Sequence, residues 1–270
     1  MLKILHNTTV ISSKVENYID ENYVATMSAA SFIYVGYKKP INALYLSLLY
    51  TVASEQAADN ILVSYWNGSA FTTVLNLKDK TNAYARSGFL SWDRNSVNEA
   101  KTTIEGTELY WYKLGANAGT FSVTIYGINL LLSDDLMIKE VEPHLNSVDF
   151  YPEGFTSFIP FHQSARNEII QRLRNEGKGT HNGTTFNDLT VFDLLDYTQL
   201  GEASKYLAIA QVYFNLSDSV DDKYWQKYED YTKRYNNAYR VFFLSIDSND
   251  DGIQSTSEKE SFKSGIIIRV

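Results

Sequence analysis

The residues of this chain that most resemble a binding centre lie near its end, in Asp247-Ser248-Asn249-Asp250-Asp251-Gly252-Ile253-Gln254-Ser255-Thr256-Ser257-Glu258. The run fits the calcium-loop pattern D-x-[DN]-x-[DN]-G-x5-E at every specified position. Asp247, Asn249 and Asp251 offer oxygens on alternate residues, and Gly252 permits a sharp turn. Ile253 offers its carbonyl, and Ser255 and Glu258 complete the candidate ligand set, with Glu258 able to close the shell bidentately. Two departures weaken the match. Gln254 stands where such loops carry an apolar residue, and Ser261-Phe262-Lys263-Ser264-Gly265 makes a poor exit helix. The competing reading is an Asp/Asn/Gly turn between Val241–Ile246 and Gly265–Val270, held by side-chain-to-backbone bonds. Calcium is the one cofactor the sequence proposes.

Other reactive chemistry is sparse. Cysteine is absent, which removes disulfides, thiolate metal sites and cysteine nucleophiles together. His6, His144, His162 and His181 lie far apart and form no metal-ligand pair, so each is expected to be a surface or satisfied structural residue. There is no Gly-x-Ser-x-Gly elbow, and Gly177-Lys178-Gly179-Thr180 lacks the upstream glycine of a phosphate loop. Asp134-Asp135 and Asp221-Asp222 sit at predicted element edges, where helix caps explain them better than a glycosidase carboxylate pair. A hydrolase with dispersed carboxylates is disfavoured, and the expectation is a protein without catalysis.

The elements that would position these residues divide into two periodicities. With 270 residues, 44% of them hydrophobic and 21% charged, the chain can fill two cores. Residues 1–135 read as an antiparallel β-sandwich domain. Segments 32–37, 43–52, 61–66, 71–77, 109–114 and 121–132 are rich in aromatic and branched residues, with Lys38-Lys39-Pro40 as a turn. Asn67-Gly68 suits a type I′ hairpin turn. Phe121, Val123 and Ile125 alternate with Ser122 and Thr124, the period-2 pattern of a half-buried strand. Residues 136–160, holding Pro143, Pro152 and Pro160, read as a connector. Residues 161–270 read as a helical domain, an α-helical bundle with the Asp-rich loop and a short terminal β segment. Helices are expected from near Pro160 to Gly177, over Leu189–Tyr197, from Gln199 to Leu216 and from Asp221 to Phe243. Gly177–Thr185 reads as a loop. In the last helix Tyr224, Tyr228, Tyr231, Tyr235 and Phe242 form one stripe, which suits bundle core better than a ligand surface. The fold class is therefore α+β, in two domains.

The balance of 24 basic against 32 acidic residues, net −8, argues against a surface built to coat DNA. No apolar run approaches the ~18 residues of a membrane span. The sandwich aromatics Tyr65, Trp66, Trp92, Tyr110, Trp111 and Tyr112 include neighbours that must point to opposite faces of a strand. One of each such pair is free to stack on a sugar or to enter a subunit interface.

Two stretches then carry a resemblance. Tyr65-Trp66-Asn67-Gly68-Ser69-Ala70-Phe71, Asp79, Thr81, Ser87-Gly88-Phe89-Leu90-Ser91-Trp92 and Glu108-Leu109-Tyr110-Trp111-Tyr112 resemble β-sandwich domains of tailed-bacteriophage virion proteins. The second half, from Ala165-Arg166 through the Tyr-rich helix to Asp247–Gly252, resembles head–tail connector or neck adaptor proteins. The resemblance covers most of the chain with diffuse motifs. It implies a structural virion protein at the head–tail interface, a homo-oligomeric ring of about twelve copies that docks on the portal and other neck or tail proteins. DNA would then be a partner only in transit through the channel. In such adaptors a terminal segment docks on a neighbour or the portal, which here implies Gly265, Ile266, Ile267, Ile268, Arg269 and Val270. Three consecutive isoleucines would be an aggregation liability unless paired as a strand, in a neighbour or within the same subunit. The alternative is a carbohydrate-binding sandwich module of a tail or cell-surface adhesin, which a row of exposed aromatics on one sandwich face would favour.

Overall fold

The structure, a computed structural model, describes residues 2–15, 23–49, 61–94, 98–116, 120–182, 185–220, 222–240, 243–247 and 259–261. It divides into two units, 1–130 and 131–270. The chain is α+β, with antiparallel sheets in the first unit and a helical second unit that carries a terminal strand pair.

The first unit contains β1 (Lys3–His6), β2 (Thr9–Val10), α1 (Ser12–Val15), β3 (Tyr23–Ser28), β4 (Ile33–Tyr37), β5 (Ala43–Leu49) and β6 (Ile61–Trp66). It continues through β7 (Phe71–Thr73), β8 (Leu75–Asp79), β9 (Gly88–Asp93), β10 (Lys101–Ile104), β11 (Thr107–Ala116) and β12 (Thr120–Asn129). Seven strands form one sheet in the order β2-β1-β4-β11-β6-β7, with β10 also paired to β11, and five form another in the order β3-β12-β5-β9-β8. The sheets face each other in a sandwich-like arrangement. Tyr112 of the first lies 5.3 Å, ring to ring, from Trp92 of the second, and Ile33, Val35, Leu114, Met27, Val123 and Leu90 are buried. Each such fully buried aliphatic side chain contributes roughly 1.5–3 kcal/mol.

Two local expectations are corrected, and one further turn is irregular. Segment 71–77 is not one returning strand. It breaks at Val74, so β7 stays in the seven-stranded sheet and β8 crosses to the other. Asn67-Gly68 is part of a four-residue loop rather than a two-residue turn, because the Asn67 carboxamide accepts from the Ser69 and Ala70 amides, both at 2.9 Å. The two-residue turn lies instead at Glu105-Gly106, where both residues have positive φ (46° and 69°) and Ile104 pairs with Thr107. A third irregularity is a left-handed turn at Asn82, Ala83 and Tyr84, with φ of 52°, 56° and 64°. The Asp79 carboxylate holds it by accepting from the Thr81 and Ala83 amides, and the turn delivers the buried Tyr84, whose hydroxyl donates to the Gly115 carbonyl at 3.2 Å.

The second unit contains α2 (Asp135–Val141), α3 (Ile159–Asn175), β13 (Gly179–Asn182), β14 (Thr185–Asp188), α4 (Gly201–Leu216), α5 (Lys223–Tyr239), β15 (Phe243–Ser245) and β16 (Lys259–Ser261). Residues 136–160, expected as a connector, hold most of α2 and two 3-10 turns, Pro143–Asn146 and Val148–Phe150. Asp134 makes α2 start where it does by accepting from the Met137 amide. Gly177–Thr185 is not simply a loop, because most of it lies in the β13–β14 hairpin. The expected helix over Leu189–Tyr197 is a 3-10 turn at Val191–Asp193, closed by a capping box between Thr190 and Asp193. A second 3-10 turn at Tyr197–Leu200 leads into α4. α4 is buried on nearly all sides by Ala203, Leu207, Ala208, Ile209, Ala210 and Val212, and packs against α2, α3 and α5. The tyrosine stripe of α5 is buried at Tyr231, Tyr235 and Tyr239, while Tyr224 and Tyr228 stay half-exposed. Phe242 lies outside the described residues. The short terminal β segment pairs Phe243–Ser245 with Lys259–Ser261.

Two substitutions test this packing. Trp111 lies across Gly36, so that a Cβ there would fall 2.7 Å from the indole. Gly36→Ala is expected to lower unfolding free energy by about 1–3 kcal/mol in denaturant titrations. Ala83→Gly relieves a left-handed alanine and is expected to raise it by about 0.5–1 kcal/mol; a loss of stability would contradict the turn.

Candidate functional site

Two clusters of buried polar side chains in the second unit, among the described residues, combine groups that could do chemistry. In the first, Ser133 Oγ lies 2.8 Å from His162 Nδ1 and 2.8 Å from Ser204 Oγ, while His162 Nε2 lies 3.2 Å from Asp135 Oδ1. Asp135 also accepts from the Phe158 amide at the start of α3. Ser, His and Asp in this order are the groups of a serine hydrolase. A nucleophile must be reached by a substrate, however, and Ser133, His162 and Ser204 are each 0% exposed. The chain of hydrogen bonds satisfies polar groups where α2, α3 and α4 meet.

The second cluster centres on Glu142, whose side chain is 10% exposed. Lys227 of α5 donates to both carboxylate oxygens at 2.9 Å, Tyr231 donates its hydroxyl, and His144 Nδ1 lies 2.9 Å away. Tyr213 of α4 connects to the same group, accepting from Lys227 at 3.1 Å and lying 2.8 Å from His144 Nε2. Burial alone would raise the Glu142 pKa, but the hydrogen bonds from Tyr231 and Lys227 and the lysine charge outweigh it, so the group titrates below its usual range. Burial and the Glu142 carboxylate push the Tyr213 and Tyr231 hydroxyls up, which keeps both as neutral donors. The cluster ties the turn after α2 to α4 and α5.

Two groups of rings face outward. At the α4–α5 corner Phe214 is 55% and Val220 64% exposed. Phe214 lies 5.3 Å from Tyr228 and 6.2 Å from Trp225, and those two rings lie 5.2 Å apart. On the first unit, the outer face of the seven-stranded sheet carries Phe32, Tyr34, Trp66 and Phe71 around Lys113, all half-exposed. Tyr65 and Trp66 divide as strand geometry requires, Tyr65 buried and Trp66 half-exposed. Trp111 and Tyr112 do not divide into one buried and one exposed. Tyr112 enters the core, and Trp111 is buried on the outer face with its indole N–H donating to the Thr102 and Thr107 carbonyls.

Of the calcium-loop candidates only Asp247 is described. It is buried, and its amide donates to the Asp193 carbonyl at 2.9 Å. Asn249, Asp251, Ile253, Ser255 and Glu258 lie outside the described residues, as do Gly265, Ile266, Ile267, Ile268, Arg269 and Val270. Among the described residues no group of three or more His, Asp or Glu side chains is placed to hold a metal. No helix among them is long and apolar enough to cross a membrane. Both buried clusters escape sequence reading because their members are far apart, Ser133 and Ser204 by 71 positions and Glu142 and Tyr231 by 89.

Glu142→Gln is expected to cost about 2 kcal/mol at neutral pH. Because the folded pKa lies below the unfolded value, the carboxylate contributes fully above the unfolded pKa of about 4.5 and loses that contribution as pH falls through the folded pKa. Denaturant titrations from about pH 7 to pH 3 should therefore show a shallower acid limb in Glu142→Gln than in the unaltered chain. A fluorophosphonate probe should leave Ser133 unlabelled in the folded protein; labelling abolished by Ser133→Ala would show that the serine is reached.

No family model matches the chain, and no curated protein matches it. A solved structure similar to part of it is a pectin-binding carbohydrate-binding module, determined in a monoclinic crystal form. It is 13% identical with a TM-score of 0.24, over 47% of this chain and 86% of that one, a likeness too slight to carry an argument about ligands.

Proposed function

We propose that the chain is a structural, non-enzymatic subunit that assembles into a ring at the head–tail interface of a tailed-bacteriophage virion, docking on the portal and letting DNA pass. The observation that carries this reading is the ring cluster at the α4–α5 corner. Phe214, Trp225 and Tyr228 on two packed helices, with Val220 between them in sequence, set partly exposed apolar surface at this corner, and such surface suits contact with a second copy of the chain. Two further features agree with it. Ser133 and His162, the would-be nucleophile and base, are fully buried inside the unit, and the net charge of −8 suits a channel that passes DNA without gripping it. The resemblance of the segment from Ala165 to Gly252 to neck adaptors points the same way. In this reading calcium at Asp247–Glu258 would order the segment leading to Gly265–Val270, the segment proposed to dock.

A second reading rests on a different observation. The half-exposed rings around Lys113 favour a sandwich that binds carbohydrate, as a module beside a helical domain.

The assembly reading is tested by complementation with the double substitution Phe214→Ser and Trp225→Ser. Losing these ring contacts costs the fold about 1–3 kcal/mol, so the variant is assayed well below its own melting midpoint, where it stays folded. It should nonetheless fail to enter tailed particles. Normal incorporation of the variant, or absence of the unaltered chain from purified virions, overturns the reading.

A further inference from the structure

The outer face of the seven-stranded sheet has a built arrangement. Registered pairing sets Tyr34 of β4, Lys113 of β11, Ser64 of β6 and Thr73 of β7 in one row across four neighbouring strands. Side chains opposite one another in a sheet share a face, so the row points outward while Val35, Tyr112, Leu114 and Val63 point to the core. Rings surround it. Trp66 pairs with Phe71, with centroids 5.4 Å apart, and Phe71 lies 5.7 Å from Tyr34, which lies 6.4 Å from Phe32. Phe32 is held over Gly115, where a Cβ would fall 2.6 Å from its ring.

Lys113 is the cation set among these rings. Its ammonium lies 3.5 Å from the Phe32 centroid and 5.8 Å from that of Phe71. Among the described residues no carboxylate pairs with it. The rings displace water from the ammonium, and this burial draws the Lys113 pKa down. A cation in that position gains from an anion that can approach from the open side. A half-exposed ring gains from a flat apolar surface laid on it. A sugar ring bearing a carboxylate supplies both in one residue, its C–H face on a phenyl ring and its carboxylate on the ammonium. Because the rings extend across four strands, they suit several linked sugars rather than one terminal residue.

We propose that Phe32, Tyr34, Trp66 and Phe71 around Lys113 form a binding face for an acidic polysaccharide made of uronic acid residues. The proposal rests on the carbohydrate reading of this face and is independent of the assembly reading; equal binding of acid and ester would remove it while leaving the carbohydrate reading in place.

The test uses the full chain and isothermal titration with short oligoglucuronates and oligomannuronates, each compared with its methyl ester, which keeps the shape and removes the charge. At least one acid should bind about tenfold or more tightly than its ester, a ratio that rising salt should erode. Lys113→Met keeps the length of the stem and should bring the acid down to the level of its ester, while Phe71→Ala should weaken both. Should either variant not fold, the acid-to-ester ratio and its salt dependence in the unaltered chain decide alone. Equal binding of acid and ester, an undiminished preference in Lys113→Met, or no binding of any acid overturns the proposal.

Discussion

A tyrosine hydroxyl taken out of water must keep a hydrogen-bond partner, and in a chain with 20 tyrosines this requirement draws charged side chains to the buried hydroxyls. Tyr112 donates to Glu99, which pairs with Arg94. Tyr231 donates to Glu142 and Tyr239 to Glu176, while Arg172 donates to Tyr235 and lies 3.9 Å over the Tyr239 ring. Burial, reinforced by the neighbouring carboxylate, pushes the hydroxyls of Tyr112, Tyr231 and Tyr239 up, so they remain donors. Acids and bases that would read as catalytic in isolation are in this way committed to holding elements together.

The same aromatic surplus explains where binding surface remains. Many rings that neither core can enclose stay partly exposed, and two groups of them are built from several neighbouring rings. On the sandwich they surround a lysine; on the helical unit they stand at the α4–α5 corner, where no cation lies over Phe214, Trp225 or Tyr228 among the described residues. The difference in chemistry suggests different partners, a charged saccharide for the first and an apolar protein surface for the second.

The division into a β half and a helical half was legible because β12 alternates with period 2 and α5 repeats its tyrosines with the helical period. Turn chemistry was harder to read. Asn67-Gly68 has the residues of a tight turn, but the Asn67 side chain captures the following amides, and Glu105-Gly106 makes the two-residue turn with a less obvious pair. The chain changes sheets at Val74 with no glycine or proline to mark the place. Trp111 is buried on the face opposite Tyr112 because Gly36 leaves room for its indole, a fact that no local pattern records. Site residues were least legible of all. Tyr34, Phe71 and Lys113 come from separate strands, and only sheet register brings them together.

The central claim is that exposed aromatics on the helical unit mediate assembly. Electron cryomicroscopy of purified particles containing the chain tests it most directly. The account expects a rotationally symmetric ring of copies in which Phe214, Trp225 and Tyr228 are covered by a neighbouring subunit or the portal. Particles in which the chain is an isolated monomer, or a ring that leaves this corner facing solvent, would contradict it.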